Sequence, residues 1–157
     1  MSLCIFTADC IPVLLCDPVK RVACAVHAGW RGTALGIAAR GVERMKQDYG
    51  CRGEDILAAI GPGISTCCFE THADVPDGLR EGMGERAEEF IHPIPENREK
   101  YHVDLKGANR RWLMDAGVAP DHIAVCEVCT ACRGDLFWSH RRLGVRRGSL
   151  ATVIQIR

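Results

Sequence analysis

The sequence has no surplus of charge of either sign. Its 157 residues include 20 Lys and Arg and 20 Asp and Glu, so the formal net charge is zero. It also lacks a basic block, or a stripe of basic and aromatic residues, of the kind that follows a phosphate backbone. We therefore expect no nucleic acid among its partners.

Long apolar runs are absent as well. The longest, residues 10–16, contains Pro12 and is much shorter than the roughly 20 residues that a membrane helix needs. Residues 1–6 lack the basic and apolar regions of a signal peptide. These absences predict a cytoplasmic protein that binds no membrane. The length fits one domain, expected over residues 1–157.

Histidine is scarce, whereas cysteine is plentiful. The chain has six His, none of them in a His-x-His pair, and ten Cys. A blue-copper centre with a three-copper cluster needs many imidazoles, so literal multicopper chemistry would lack ligands. Ten cysteines in a chain without an export signal predict reduced thiols, most of them buried as small apolar side chains.

The hydrophobic pattern predicts an α+β (mixed α/β) fold with layered mixed sheets and flanking helices. Two helices should begin at capping residues, one from Thr33 to about residue 49 and one from Asp104 to about residue 116. A weaker helix is expected over residues 73–90, and Pro93 and Pro95 predict a loop. Strands are expected at residues 3–8, 21–27, 55–60, 122–126 and 149–156, and in the apolar run before Asp17-Pro18.

Cys10 and His27 form the first candidate site. Adjacent strands can bring a thiolate and an imidazole together, and zinc binds both at about 2.0–2.3 Å. The neighbouring Asp9 can orient a ligand or move a proton, and Arg31 can hold an anion through two hydrogen bonds. Trp30 belongs to the core unless it faces a pocket. From spacing alone, a buried cysteine and a core histidine would look the same.

A second cysteine-rich segment holds Cys126, Cys129 and Cys132 in two overlapping C-x-x-C spacings. Three thiolates so spaced can bind zinc or part of an iron–sulfur cluster, but a fourth cysteine at the cluster spacing is absent. Cys67 and Cys68 follow a Gly-Pro-Gly turn, where they either react or simply fill space. Both alternatives stay open for each group.

Five segments, taken in order, resemble the laccase-domain family, also called YfiH-like, polyphenol-oxidase-like or FAMIN-type purine nucleoside phosphorylase. The most specific match is the pair Ala-Asp-Cys and His-Ala-Gly-Trp-Arg-Gly, at residues 8–10 and 27–32. The resemblance implies a YfiH-like fold and accounts for Cys129 and Cys132 without a metal. The matching segments are residues 7–15, 26–32, 60–70, 104–110 and 129–142.

The resemblance implies a zinc site made of one Cys and two His. The Cys corresponds to Cys10 and the second His to His27, while the family's first His lies in an upstream segment that this sequence does not contain. We therefore expect a member that lacks the family's N-terminal segment. The third ligand would come from a second protomer, which leaves a homo-oligomer open, or from His72, His92, His102, His122 or His140.

The activity that the resemblance implies is zinc-dependent phosphorolysis of adenosine, inosine or guanosine, with adenosine deamination as a second activity. Cys10 and His27 are the expected catalytic metal ligands, and Arg31 and Arg141 are the expected contacts to nucleoside and phosphate. The family's usual Arg-Arg-Asp-Gly reads Arg-Arg-Leu-Gly at residues 141–144, which can alter a substrate contact. Three alternatives remain: copper-dependent polyphenol oxidation, amide hydrolysis of peptidoglycan precursors, and a non-catalytic short homologue that binds a nucleoside or a partner.

Overall fold

Nine strands form three sheets in the computed structural model, which describes residues 1–156. The first sheet pairs β1 (Ser2–Thr7) with β9 (Leu150–Gln155), antiparallel. The second consists of β2 (Ile11–Asp17), β3 (Val22–Ala28), β4 (Leu57–Ile60) and β8 (Ile123–Val125), in the order β3-β2-β4-β8. The third consists of β5 (Glu70–Thr71), β6 (Ile91–Ile94) and β7 (Asn97–Val103), in the order β5-β7-β6. Only the β4–β8 pair is parallel within the part of the chain that the structure describes.

Five α-helices connect these strands across residues 1–156. They are α1 (Trp30–Ala34), α2 (Ile37–Tyr49), α3 (Asp74–Met83), α4 (Leu105–Asp115) and α5 (His140–Leu143). No helix in this described range has both the length and the apolar character needed to cross a membrane.

The main apolar core lies where α2 and α4 pack against the four-stranded sheet. Ile11, Val13 and Leu15 of the central strand β2 are completely buried, because β2 has a neighbouring strand on each side and helices over its face. Val42 from α2 and Leu113 from α4 are equally buried. This packing fixes the position of the residues that precede β2.

The helix expected from Thr33 to residue 49 is divided in two, and Thr33 is not its cap. Thr33 is buried inside α1, where its hydroxyl accepts a hydrogen bond from Asn109 at 2.9 Å. The break falls at Gly36, whose φ of +69° lies in the left-handed region and whose Cα faces the ring of Trp112. Glycine is favoured there because a side chain would strain the backbone. The cap at Asp104 is confirmed, since its carboxylate accepts the amide hydrogen bond of Gly107.

The loop predicted around Pro93 and Pro95 is confirmed only in part, because Pro95 lies in a turn whereas Pro93 lies in β6. Residues on both sides of the turn form the β6–β7 hairpin, which pairs Ile91 with Val103. Proline is tolerated because β6 is an edge strand, where a missing N–H need not break the ladder, and the register shifts between Pro93 and Ile94. The helix expected over residues 73–90 ends at Met83 and continues as a 3-10 segment, Gly84–Phe90.

Candidate functional site

A cavity of about 300 Å³ lies just before the start of β2. One part of its wall is apolar and aromatic, and another part carries an imidazole and two guanidinium groups. Flat apolar walls beside a few convergent polar groups are typical of a small-molecule site. The lining residues are Ala8, Asp9, Cys10, Trp30, Ile64, Phe69, Leu105, His140, Arg141 and Arg147.

The pairing of β2 with β3 places Cys10 and His27 on neighbouring strands. Pro12 lies opposite His27 in the antiparallel ladder, and extending that register sets Cys10 opposite Gly29. The Cys10 sulfur lies 3.2 Å from the point that a Cβ on Gly29 would occupy, so a larger residue there would crowd the thiol. Strand alternation directs Cys10 and His27 to the same side of the ladder. Cys10 is half-buried and His27 is exposed.

The environment of Cys10 favours the protonated thiol in the absence of a cation. Burial is the main cause of its raised pKa, the negative charge of Asp9 adds to the effect, and Arg147 opposes it. A metal ligand must lose that proton, so metal binding at Cys10 would release it. A thiolate and an imidazole are the donor types that suit zinc, and thiolate also suits Cu(I).

Asp9 joins the strand side of the cavity to the opposite wall. Its buried carboxylate accepts hydrogen bonds from Thr130 Oγ1 at 2.7 Å, Ser139 Oγ at 3.0 Å and the Arg141 amide at 2.7 Å. Asp9 also has a φ of +80°, a conformation that costs a non-glycine residue about 1–3 kcal/mol. These contacts show that Asp9 positions the wall that carries His140 and Arg141.

Two arginines and a histidine form the basic part of the wall. The Arg141 guanidinium donates to the carbonyl oxygen of Glu70 at 2.8 Å and lies 5.6 Å from the centre of the Phe69 ring. Arg147 Nε lies 3.5 Å from His140 Nδ1. Arg141, the expected substrate contact, thus lines the cavity, and so does Arg147, which the sequence did not single out. Its only signal was a pair of basic residues shortly before the last strand.

His140 is the candidate third ligand that lines the cavity together with Cys10. His102 instead lies with Nδ1 2.5 Å from the carbonyl oxygen of Thr66, and His92 pairs with it across the β6–β7 hairpin. His72 is exposed at the end of β5, and His122 precedes β8. Of the five, His140 is therefore the one beside the candidate site.

Arg31 lies on a different surface. Its guanidinium sits 4.2 Å from the centre of the Trp30 ring and lines an adjacent groove that also contains Asp74, Asp77 and Glu81. Trp30 itself lines both the groove and the cavity. Arg31 can therefore influence the cavity through the position of the Trp30 ring.

Two pairs of cysteines from distant parts of the chain meet near the cavity. The sulfur atoms of Cys67, Cys68, Cys129 and Cys132 all lie within 4.8 Å of one another, and Cys126 is not a member of this group. Burial is the largest influence on the Cys129 thiol and opposes ionisation, but amide hydrogen bonds from Ser65, Cys132 and Ala131 together lower its pKa to about 7. Burial, followed by thiol hydrogen bonds within the group, raises the pKa of Cys67 and Cys68.

Comparison with known proteins identifies the family. Residues 1–157 match the sequence profile of a family described as multi-copper polyphenol oxidoreductase laccase. The chain belongs to this family. A solved relative, the YfiH protein of Bacillus licheniformis, is 37% identical with a TM-score of 0.94 over 99% of this chain and 58% of that one, which confirms the mixed α/β fold.

Two curated relatives carry enzyme names. A purine nucleoside phosphorylase of Bacteroides thetaiotaomicron is 38% identical over 98% of this chain and 56% of the relative. An adenosine deaminase from an unknown prokaryotic organism is 36% identical over 94% of this chain and 55% of the relative. The chain thus spans little more than half the length of these relatives.

Proposed function

We propose that this chain forms the metal-binding and substrate-binding part of a zinc-dependent purine nucleoside phosphorylase. The observation that carries the proposal is the cavity in which Cys10 lies between aromatic walls and a basic cluster. A purine nucleoside needs a flat apolar surface for its base, and phosphate needs cationic donors beside it. The name of the Bacteroides relative supports the same reaction.

Different side chains of the cavity would bind different parts of the substrate. Trp30 and Phe69 offer ring surfaces for the base. Arg141 and Arg147 present guanidinium groups that suit the paired oxygens of phosphate. In the reaction, a phosphate oxygen forms a bond to the anomeric carbon of the ribose as the bond to the base nitrogen breaks. The products are the free base, which takes up a proton, and ribose 1-phosphate.

His140 lines the cavity and would act on the departing base. With Arg147 Nε facing its Nδ1 at 3.5 Å, a neutral imidazole would carry its proton on Nε2. A hydrogen bond from Nε2–H to a nitrogen of the departing base would stabilise the negative charge that develops there, and the attacking hydrogen phosphate would supply the proton that the base takes up. Asp9 would act by holding the segment that carries His140 and Arg141 in place, through its three hydrogen bonds.

Cys10 and His27 would hold the zinc ion, with the third protein ligand supplied by a residue outside the chain or by His140, whose Nε2 would then bind the metal and not the base. When bound, zinc supplies a Lewis acid and lowers the pKa of a bound water. Deamination of adenosine is the second candidate activity, because the name of another relative favours it. Copper-dependent phenol oxidation, peptidoglycan-precursor amide hydrolysis and a non-catalytic role are alternatives that the following assay separates when a phenol and a peptidoglycan-precursor amide are added as substrates, cleavage of the amide identifying the hydrolase.

The test is base release from inosine and adenosine by zinc-loaded protein, with and without phosphate. Release that requires phosphate is expected, and His27→Ala should reduce it by orders of magnitude because a metal ligand is lost. Since His27 is exposed, its truncation should cost no more than about 1–2 kcal/mol of stability. His92→Ala, also exposed but on the β6–β7 hairpin, is the matched control and should keep full activity.

The other outcomes identify the alternatives. Equal release with and without phosphate would mean hydrolysis, and formation of inosine from adenosine would mean deamination. Oxidation of a phenol only by copper-loaded protein would favour the oxidase. Absence of any turnover by folded, zinc-loaded protein would contradict phosphorolysis by this chain and favour the non-catalytic homologue.

A further inference from the structure

Four cysteine sulfurs form a compact group at the junction of two irregular segments. Cys67 and Cys68 lie in the turn before β5, and Cys129 and Cys132 lie in the segment after β8. Cys10 is not a member. The group is therefore distinct from the candidate site at Cys10 and His27, and its two halves could be joined only by folding.

The distances among three of the sulfurs match the coordination shell of a single metal ion, and the fourth, on Cys129, lies within 4.8 Å of each of them. The sulfur of Cys132 is 3.6 Å from that of Cys67 and 3.4 Å from that of Cys68, and the latter two are 3.8 Å apart. Four thiolates at about 2.3 Å from a tetrahedral zinc ion have their sulfurs about 3.8 Å apart. An iron–sulfur cluster would spread them further, because several iron and sulfide atoms lie between them.

The surroundings of one member of the group, Cys129, favour negatively charged sulfur. The Ser65 amide donates a hydrogen bond to the Cys129 sulfur at 3.4 Å. Lys106, nearly completely buried, brings its amino group close to Cys129, although burial lowers the pKa of that group. Its ammonium group donates to the Ser65 hydroxyl at 2.9 Å and to the carbonyl oxygens of Cys126 and Val128 at 2.7 and 3.0 Å. The Ser65 amide therefore favours the thiolate form of Cys129 directly, whereas Lys106 holds the backbone on either side of the group in place.

The same segments have little apolar packing of their own. Their core is a small cluster in which only Ile64, Cys129 and Ala131 are buried, supplemented by partly buried Cys68 and Phe69. A backbone bridge between Gly63 and Cys129 links the two segments. A bound ion would add a strong crosslink where few apolar contacts exist, which is the usual role of a four-cysteine zinc site.

We propose that Cys67, Cys68, Cys129 and Cys132 bind one structural Zn²⁺ ion, separate from the metal of the candidate active site. The ion would fix the turn that carries Phe69 against the segment that continues to His140 and Arg141. All four ligands are protein thiolates, so no coordination position remains for water or substrate. The ion would therefore shape the cavity without taking part in the reaction.

The test uses the whole chain with Cys10→Ser and His27→Ala, so that the other candidate metal site is disabled. After purification under reducing conditions with zinc, elemental analysis should find one zinc ion per chain, and X-ray absorption should show four sulfurs at about 2.3 Å. Adding Cys132→Ser should abolish stoichiometric binding or replace a sulfur with a lighter ligand. Adding Cys126→Ser, which alters a nearby thiol outside the group, should change neither result.

A second measurement needs no mutation within the group. The same Cys10→Ser, His27→Ala protein is first stripped of its zinc under reducing conditions. Cobalt added to it should give the intense near-ultraviolet sulfur-to-metal absorption of a tetrathiolate site, and zinc should displace the cobalt. Failure to bind either ion, a shell with nitrogen or oxygen donors, or dependence on Cys126 would overturn the proposal. So would a disulfide between Cys132 and Cys67 or Cys68 in the zinc-treated, reduced protein. None of these measurements depends on catalytic activity, so failure of the proposed enzyme function would leave this result intact.

Discussion

The two walls of the cavity are built by different means. One wall carries Cys10 and Trp30 and is continuous with β2, β3 and α1, which rest on the main apolar core. The other carries Phe69, His140 and Arg141 on mostly irregular segments, whose own core is the small cluster around Ile64. Apolar burial positions the first wall, whereas buried polar groups must position the second.

Two buried charged residues connect the irregular wall to the rest of the fold. Asp9 reaches from the start of β2 to three donors on the segment of residues 130–141. Lys106, on α4, reaches Ser65 and the carbonyl oxygens of Cys126 and Val128. Such contacts are directional, and each fails if one partner is removed, because the other partner is left buried without a hydrogen bond.

The largest effect on stability is expected in the strand-built wall. Leu15→Ala should lower the free energy of unfolding by about 3–4 kcal/mol, because Leu15 is completely buried in the central strand and its truncation leaves a cavity. Urea unfolding monitored by circular dichroism measures the change in the free energy of unfolding. Val153→Ala, at a half-exposed position on β9, should cost less than about 1 kcal/mol. Equal losses would mean that the main core does not dominate the stability of this wall.

A slightly smaller but more local effect is expected from Asp9→Ala. Loss of its carboxylate removes three hydrogen bonds to a charged acceptor and should cost about 3 kcal/mol. Hydrogen exchange should become faster at the Arg141 amide, while amides within β2 stay protected. Asp121→Ala, at an exposed turn position, should leave both measurements unchanged. Faster exchange throughout β2 would show instead that Asp9 supports both walls.

Lys106→Met should have the next largest effect. The substitution keeps most of the side-chain volume but leaves two carbonyl oxygens without their ammonium donor, at an expected cost of about 2 kcal/mol. Lys100→Met is the matched control, because Lys100 forms a partly exposed ion pair with Glu70 that is worth at most about 1 kcal/mol. Thermal unfolding of the two variants provides the comparison. A larger loss for Lys100→Met would contradict the anchoring role of Lys106.

Local patterns predicted much of the fold but not its interruptions. The cap at Asp104 depends on neighbouring residues, so the sequence was sufficient to predict it. Gly36, where the helix breaks, faces the ring of Trp112, a residue distant in the chain, and the strand at Pro93 depends on its place at a sheet edge. Tertiary contacts of this kind leave no periodic pattern of apolar residues in the sequence.

At the candidate site, too, local motifs were visible in the sequence and contacts between distant segments were not. Cys10 and His27 were found from a local motif, and strand pairing explains their shared side of the ladder. The sequence offered three cysteines in overlapping spacings, whereas the structure excludes Cys126 and adds two from another segment. Arg147 was missed because the direction of a side chain after a short helix is set by packing. Contacts between distant segments were therefore the part that the sequence could not supply.

The smallest effect is expected from Arg31, whose predicted role in substrate binding would be exerted through Trp30. Arg31→Ala removes an exposed cation–π contact worth about 0.5–1 kcal/mol, so it should weaken nucleoside binding by about two- to fivefold while kcat stays nearly constant. Arg141→Ala should instead raise the KM for phosphate, because Arg141 lines the cavity itself. Arg40→Ala, exposed on α2, serves as the control and should change neither constant. A rise in the phosphate KM of Arg31→Ala as large as that of Arg141→Ala would place Arg31 in direct contact with the anion and extend the anion site to both sides of the Trp30 ring.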